Sequence, residues 1–490
     1  MPANLIMLQG TASSVGKSLL ATALCRMFRQ DGFRVAPFKA QNMSNNSYVT
    51  PDGGEIGRAQ AAQAEAAGIE PSVDMNPILL KPEANHRSQV VVLGKASESL
   101  FAREYYQRKA ELQPIVLGAL DRLRTGYDVI VIEGAGSPAE INLRSVDLVN
   151  MGLARAVDAP VLLVGDIDKG GVFAHIVGTM ELLEPEERAL VKGTVINKFR
   201  GDVTLLDSGL TFLADRTRVP VLGVVPYLDG HGVPEEDSAS LPQHVAQARA
   251  PAEGLIDIAV VRLPRISNFT DFEPLAREPS VWLRYVADGA SLGTPDLVII
   301  PGTKATMADL AYLRASGLAQ RIAAVAAEGC TVMGICGGLQ MLGKAIRDPD
   351  RIESDQCEAS GLGLLPMVTT FAKPKTTVRV EGSSSLPWVE GQRIVGYEIH
   401  NGRTEVDGPP AFMVAGHPDG AVQKTVFGTY VHGVFDEDGF RRAFLEGLAS
   451  RKGISIDMAP DLPREAVYDR LAARVRAALD TERLYTIAGV

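Results

Sequence analysis

Apolar residues along this chain gather in short uninterrupted runs, each followed by a glycine-rich or polar turn and then by a stretch at helical spacing. The runs at residues 5–10, 33–39, 128–133, 159–166, 192–198 and 219–226 read as strands. Runs of this kind, rich in Val, Ile and Leu without in–out alternation, belong to strands buried on both faces. Between them, an Ala/Leu-rich run from Leu19 and the stretches 55–67 and 97–123 carry helical spacing, the second stopping near Gly68 with Pro71 just beyond. Residues 89–94 read as a further strand, whereas Asn76-Pro-Ile-Leu-Leu-Lys-Pro82 has no period that assigns it. The alternation predicts an α/β fold built on a doubly wound, mostly parallel sheet.

A second series starts after residue 254, with apolar runs at 255–262, 296–304 and 331–335 and a strand-like run from Phe427 to Val431. A chain of 490 residues exceeds one ordinary core, so two α/β domains are expected. Their boundaries are set at residues 1–237 and 255–490, and the Ala/Gln/Pro-rich segment 238–254 is read as a linker. No run approaches the length of a membrane span. The net charge of −10 leaves no basic footprint for nucleic acid. The first strand follows the N-terminal Met closely, and the four cysteines form no CxxC pair. A reducing, cytoplasmic setting is the expectation.

Two turns carry chemistry. The first is Gly10-Thr-Ala-Ser-Ser-Val-Gly16-Lys17-Ser18, lying between a strand and a helix. Backbone N–H groups in such a loop and at the helix start cradle phosphates. Gly10, Thr11 and Gly16 shape the cradle, Lys17 meets the β- and γ-phosphates, and the Ser18 hydroxyl ligates Mg²⁺. Five residues rather than the usual four separate Gly10 from Gly16. Glu133, ending a buried strand, is the expected second Mg²⁺ handle, and Asn197, at another strand end, a candidate partner for adenine. The amide-rich segment 40–47 follows the strand at 33–39, at the sheet edge where ligands of open α/β folds lie.

The second turn is Gly334-Ile-Cys336-Gly337-Gly338-Leu-Gln340, with a strand before it and a helix after it. This is a nucleophile elbow bearing cysteine in place of serine. The helix start favours the thiolate, and the N–H of Gly337 is placed for an oxyanion. Such a cysteine needs a histidine base, for which His432 is chosen over His400. Cys25, Cys330 and Cys357 have the contexts of ordinary thiols. His86, His175, His231, His244 and His417 carry no motif.

These motifs bear a resemblance. Gly334-x-Cys336-x-Gly338-x-Gln340 with a later His432 looks like the class I glutamine amidotransferase domain. The loop 10–18 resembles the dethiobiotin-synthetase-like variant of the P-loop. Both together, in that order, are the arrangement of the cobyrinic and cobyric acid amide synthases. Lys39-Ala-Gln-Asn-Met-Ser-Asn-Asn-Ser47, Gly165-Asp-Ile-Asp-Lys-Gly-Gly171, Ile266-Ser-Asn-Phe-Thr-Asp-Phe272 and Gly396-Tyr-Glu-Ile-His400 resemble the cobyric acid synthase family specifically.

The resemblance implies an ATP-, Mg²⁺- and glutamine-using amidoligase that converts the b, d, e and g carboxylates of adenosylcobyrinic acid a,c-diamide to amides. It implies a flavodoxin-like glutaminase half in which Gly302, Gly337 and Gln340 serve the oxyanion and glutamine. The corrinoid is its small-molecule partner, with Gln41, Asn42, Ser44 and Asn45 as candidate contacts. An a,c-diamide synthase and a ParA/MinD-like ATPase switch are the competing readings, and a peptidoglycan-precursor amidotransferase is a third. Many class I glutaminases carry an acid two residues after the histidine. Here that position is Val434, which leaves the orienting group open, with Asp436, Glu437 and Asp438 nearby. Oligomeric state is not legible, a homodimer being one option.

Overall fold

In the computed structural model, residues 2–83, 87–234, 236, 254–460 and 463–490 are described. The expected linker at 238–254 lies, apart from Gly254, outside the described residues, as do His86 and His244.

The first half is a six-stranded parallel sheet in the order Val221–Pro226, Val191–Phe199, Val161–Asp166, Asn4–Gly10, Val129–Glu133, Val35–Phe38. Asn4–Gly10 lies in the middle, with Met7 opposite Val161 on one side and Ile132 on the other. The uninterrupted apolar runs are explained: helices cover both faces, so the inner strands Asn4–Gly10, Val129–Glu133 and Val161–Asp166 are buried almost throughout. The chain leaves the central strand at its carboxyl end through residues 11–16 and enters the helix Lys17–Gln30.

A satellite sheet sits beside this one. Gln41–Met43 pairs in parallel with Ile78–Pro82, which pairs antiparallel with Arg87–Val92, and that strand with Lys95–Phe101. Residues 76–82, unassigned by period, thus supply the middle of a small sheet. Two helix starts differ from expectation. Residues 55–57 form a strand paired antiparallel with Ser47–Val49, so the helix begins at Arg58, and it ends on Gly68 at φ 69°. Residues 95–101 are strand, and the next helix runs Ala102–Gly126. In both places a neighbouring strand offers backbone partners that local propensity does not register.

The second half is a sheet ordered Val281–Val286, Ile256–Val261, Leu297–Ile300, Thr331–Ile335, Val426–Thr429, Ala421–Gln423, parallel except at its last strand. A long hairpin, Met367–Ser384 with Arg393–Val406, extends from it toward the first half. There Arg379 Nε donates to the Val49 carbonyl at 2.8 Å.

The expected boundary at residue 490 needs correcting. The terminal helices Arg464–Ala478 and Thr481–Ala488 join the core of the first half, where Tyr468, Leu471, Val475 and Leu484 are buried beside Leu20, Leu24 and Phe28. Arg26 Nε donates to Asp469 at 2.7 Å, and Tyr485 stacks on Phe28 with ring centres 5.1 Å apart. Amphipathic spacing shows that these helices bury one face but not against which domain.

Candidate active sites and the seam between them

Gly16 ends the phosphate-type loop at φ 98°. A Cβ there would lie 2.1 Å from Asn197 Nδ2, so only glycine lets the loop close over that side chain. Asn197 Nδ2 in turn donates to the Val15 carbonyl at 2.8 Å. The residue expected to meet adenine is buried beneath the loop and braces its backbone. Lys17 Nζ donates to the carbonyls of Ala12 and Gly136, each at 3.1 Å. Burial lowers its pKa to about 8 against the opposing pull of Glu133.

Ser18 Oγ donates to Glu133 Oε1 at 2.8 Å, which brings the two expected Mg²⁺ handles together. Two residues the sequence reading missed share this point. Lys39 Nζ is 2.8 Å from Glu133 and 2.5 Å from Glu236, and Ser18 Oγ is 2.5 Å from Glu236. Among the described residues no group of three or more His, Cys, Asp or Glu is arranged to hold a metal. The donor set is one hydroxyl with carboxylate oxygens, the hard-oxygen chemistry that suits Mg²⁺ completed by phosphate and water. The buried Gln9 Oε1, Thr11 Oγ1, Gln60 Nε2 and Gln63 Oε1 find no hydrogen-bond partner among the described residues.

In the second half Cys336 stands at φ 50° and ψ −107° between Thr331–Ile335 and the helical turn Gly337–Leu342. A Cβ on Gly338 would fall 1.9 Å from the Ile300 carbonyl oxygen, so glycine is needed for the elbow to sit on the neighbouring strand. Cys336 and His432 face the same cavity, where the thiol donates to the Ile399 carbonyl at 3.7 Å. His432 Nδ1 is 2.7 Å from Asp271 Oδ2, and Asp271 Oδ1 accepts from the Gly433 N–H at 3.0 Å. Burial pushes the imidazole pKa down, but Asp271 and Cys336 outweigh it and carry it up to about 10. Burial likewise raises the Asp271 carboxyl, against the pull of His432.

Asp271 therefore orients the histidine. Asp436, the nearest in sequence of the three downstream acids, pairs instead with Arg464 at 2.7 Å. His400, the rival base, is held by Glu398 at 3.1 Å and by the Gly402 carbonyl at 2.8 Å.

The thiol opens on a small cavity, about 50 Å³, walled by Gly337, Gln340, Thr303, Glu353, His400 and Lys375. Gln340 is buried in its wall, with Oε1 accepting from Thr306 Oγ1 at 3.1 Å. Gly302 backs the imidazole: a Cβ there would stand 2.9 Å from His432 Cε1. Lys81, from the first half, also reaches this cavity. It and Lys375 both contact the buried carboxylate of Glu55, at 2.5 and 2.6 Å.

The amide-rich segment is part of the same seam. Asn42 is buried, and its Nδ2 donates to Gln60 Oε1 at 3.0 Å; Ser44 Oγ donates to the Glu236 carbonyl at 3.0 Å. Both side chains hydrogen-bond within the protein. Gln41, accepting from the Tyr105 hydroxyl at 2.5 Å, and Asn45, donating to the Pro82 carbonyl at 3.3 Å, are only half-buried.

Comparison with known proteins fits this division. Residues 6–237 match the model of the CobQ/CobB/MinD/ParA nucleotide binding domain, and residues 257–440 that of the CobB/CobQ-like glutamine amidotransferase domain. The cobyric acid synthase of Dehalococcoides mccartyi (strain CBDB1) is 52% identical over 500 residues, covering 99% of each chain. That of Sorangium cellulosum (strain So ce56) is 54% identical over 519 residues, covering all of this chain and 99% of its own. This chain belongs to the cobyric acid synthase family.

Its two α/β halves are thereby a nucleotide-binding domain and a glutamine amidotransferase domain, as the two turns led one to expect. A solved glutamine amidotransferase is also similar over 39% of this chain and 98% of its own, at 16% identity and a TM-score of 0.31. No helix among the described residues is long and apolar enough to cross a membrane.

Proposed function

We propose that this protein makes adenosylcobyric acid by amidating the b, d, e and g carboxylates of adenosylcobyrinic acid a,c-diamide, consuming ATP and glutamine. The observation that carries this reading is the Cys336–His432–Asp271 relay in a chain that also holds a Lys17–Ser18 phosphate loop. A nitrogen-releasing site joined to a phosphoryl-handling site is what converting a carboxylate to an amide requires. A carboxylate resists attack by ammonia because oxide leaves badly, and transfer of the γ-phosphoryl group gives an acyl phosphate with phosphate as leaving group.

In the first half Lys17 faces the β- and γ-phosphates and neutralises charge as the phosphoryl group moves. Gly10, Thr11 and Gly16 shape the cradle, and Asn197 supports it through the Val15 carbonyl. Ser18 and Glu133 would hold Mg²⁺, which when bound supplies positive charge against the phosphate oxygens. Gln41, Asn42, Ser44 and Asn45 are the candidate corrinoid contacts, Gln41 and Asn45 being the less buried of the four.

In the second half the Cys336 thiolate attacks the glutamine side-chain carbonyl, and the Gly337 N–H and the turn at Gly302 meet the oxyanion. As the tetrahedral adduct collapses, the C–N bond breaks, His432 donates its proton and ammonia leaves. Water, deprotonated by His432, then hydrolyses the thioester to glutamate and frees the thiol. Ammonia passes to the acyl phosphate, and phosphate departs.

The test follows the corrinoid by mass during incubation of the protein with glutamine, Mg-ATP and the a,c-diamide. The product should lie one mass unit lower for each of four carboxylates converted, with ATP consumed in step. Glutamine hydrolysis without any change in corrinoid mass would overturn the reading. Conversion of cobyrinic acid at a and c instead would assign the a,c-diamide synthase activity. Cys336→Ser should abolish use of glutamine and retain amidation from added ammonium.

A further inference from the structure

The histidine base of the glutaminase is held on two sides by groups that in turn rest on three consecutive residues of the other half. On one side is Asp271, in the loop 266–272. That loop is gripped twice by the synthetase segment: Asn46 Oδ1 accepts from the Phe269 N–H at 3.0 Å, and Asn268 Oδ1 accepts from the Ser47 N–H at 3.0 Å. Asn46, Ser47, Asn268 and Asp271 are all buried. Asn268 takes the left-handed conformation at φ 50°, ψ 41°, and its carbonyl accepts from the Asp271 N–H at 3.0 Å. The turn bearing Asp271 thus springs from a residue whose side chain is fixed by the other half.

On the second side is Tyr397. Its ring stacks on the His432 imidazole, with centres 5.6 Å apart and planes 25° apart. The two residues also exchange backbone hydrogen bonds at 3.1 and 2.9 Å. Behind Tyr397 stands Tyr48, edge-on with ring centres 5.1 Å apart. Tyr48 is itself clamped between the guanidinium groups of Arg58, at 4.8 Å, and Arg379, at 5.2 Å, one from each half. Asn46 and Ser47 therefore fix the turn that carries the histidine's carboxylate, and Tyr48 supports the ring stacked on its face.

We propose that the segment Asn46–Ser47–Tyr48 is a positioning device by which the synthetase half makes the glutaminase competent. Asn46 and Tyr48 are positioning residues of the ammonia-releasing reaction, acting through Asp271 and Tyr397. Glutamine turnover then depends on the seam being closed at this segment. Catalysis by a relay of this kind is sensitive to displacements well under an ångström, whereas binding of glutamine in the cavity beside it is less so. The expected signature of disturbing Tyr48 or Asn268 is a fall in kcat for glutamine hydrolysis, with KM little changed for Tyr48.

This inference rests on the amidoligase reading, and the experiment separates the two. Glutaminase kcat and KM, and corrinoid amidation from glutamine and from ammonium, are measured on the full chain for wild type, Tyr48→Ala, Tyr48→Phe and Asn268→Ala. Thermal melts confirm that each variant is folded. Tyr48→Ala and Asn268→Ala should lower glutaminase kcat by about tenfold or more, the scale of a misplaced catalytic group. KM of Tyr48→Ala, a residue outside the cavity wall, and ammonium-driven amidation of both variants should stay within about twofold, the range expected when neither binding nor the other chemistry is touched.

Tyr48→Phe keeps the ring and should restore kcat. Unchanged kcat in folded Tyr48→Ala and Asn268→Ala, or a change confined to KM, would overturn the positioning role. So would equal loss of glutamine- and ammonium-driven amidation. Absence of corrinoid amidation from ammonium in the wild type would instead strike the amidoligase reading, while the glutaminase kcat comparison would still decide this inference.

Discussion

The two reactive turns of this protein are built alike and finished differently. Both are glycine-bracketed, both follow the carboxyl end of a central strand, and both open a helix. Around the glutaminase turn the principal groups have protein partners: Cys336 with the Ile399 carbonyl, His432 with Asp271, Gln340 with Thr306. Around the phosphate turn, Gln9, Thr11 and Gln63 each keep a buried polar atom without one among the described residues. Such atoms are rare in folded proteins, because each costs the desolvation of a group left unsatisfied. The difference teaches where each site is completed. The phosphate site keeps buried polar atoms that no described protein group meets, whereas the glutaminase draws its last supports from the neighbouring half.

The sharpest way to break this contrast is to remove the charge on the phosphate turn. Lys17→Ala should lower corrinoid amidation about 10³-fold with either nitrogen source, the scale of a lost phosphoryl-charge stabiliser. Glutamine hydrolysis should survive within about fivefold, since Lys17 touches nothing in the relay. Parallel assays of glutamate and amidated corrinoid check this, and equal loss of both would mean that the halves are one catalytic unit.

A step smaller is Asp271→Asn, which keeps the shape and removes the charge that carries His432 upward. Glutamine hydrolysis should fall about 10²-fold, less than for a serine relay, because a cysteine is itself a good nucleophile. Below its folded pKa of about 10 the His432 imidazole of the wild type holds the proton; in Asp271→Asn that titration should move down toward the ordinary value. Imidazole resonances followed across pH would show it. Ammonium-driven amidation should be untouched.

Smaller again is the response of stability to ligand. If the orphan atoms mark a site awaiting its nucleotide, Mg-ATP at about 100 times its Kd should stabilise the folded chain by about 2.7 kcal/mol. Lys17→Ala should lose most of that gain in a thermal melt. Glutamine analogues, entering a site already satisfied, reveal by their own shift how far the comparison holds.

What could be read from the chain alone divides along the same line. The phosphate turn and the elbow are continuous in sequence, so Gly10, Gly16, Lys17, Ser18, Cys336 and Gly337 are visible as spacing. Glu133 is visible because a carboxylate ending a buried run needs a reason to be there. Asp271 is different: 161 residues separate it from His432, and only the packing of 266–272 across the seam joins them. A search near the histidine finds Asp436, which is a partner of Arg464. Lys39 and Glu236 escape for the same reason, since their meeting at Ser18 is tertiary. The amides of 41–47 are visible as composition, which reports polarity and not what the polarity faces. Asn42 and Ser44 face protein.

The finest test of a pre-satisfied glutaminase pocket lies in Glu353. Burial pushes its carboxyl up to about 7, against Lys304 and the N–H groups of Thr306 and Met307 that pull it down. An ordinary glutamate titrates near about 4.3. A raised folded pKa means that the folded chain binds the proton more tightly than the unfolded chain. Its stabilising contribution is complete below about pH 4 and is lost as pH rises to about 7.

The melting temperature of the wild type should therefore decline more steeply between those limits than that of Glu353→Gln, which carries no titrating group there. Asp419, also pushed up to about 7 by burial, titrates in both proteins and cancels in the difference. Because the cavity admits water beside Glu353, the difference should amount to only about 2–4 °C. A flat difference between the two curves would show that Glu353 is already ionised and paired with Lys304. The glutaminase pocket would then hold a charge pair open to ligand, much as the phosphate site does with Lys39 and Glu133.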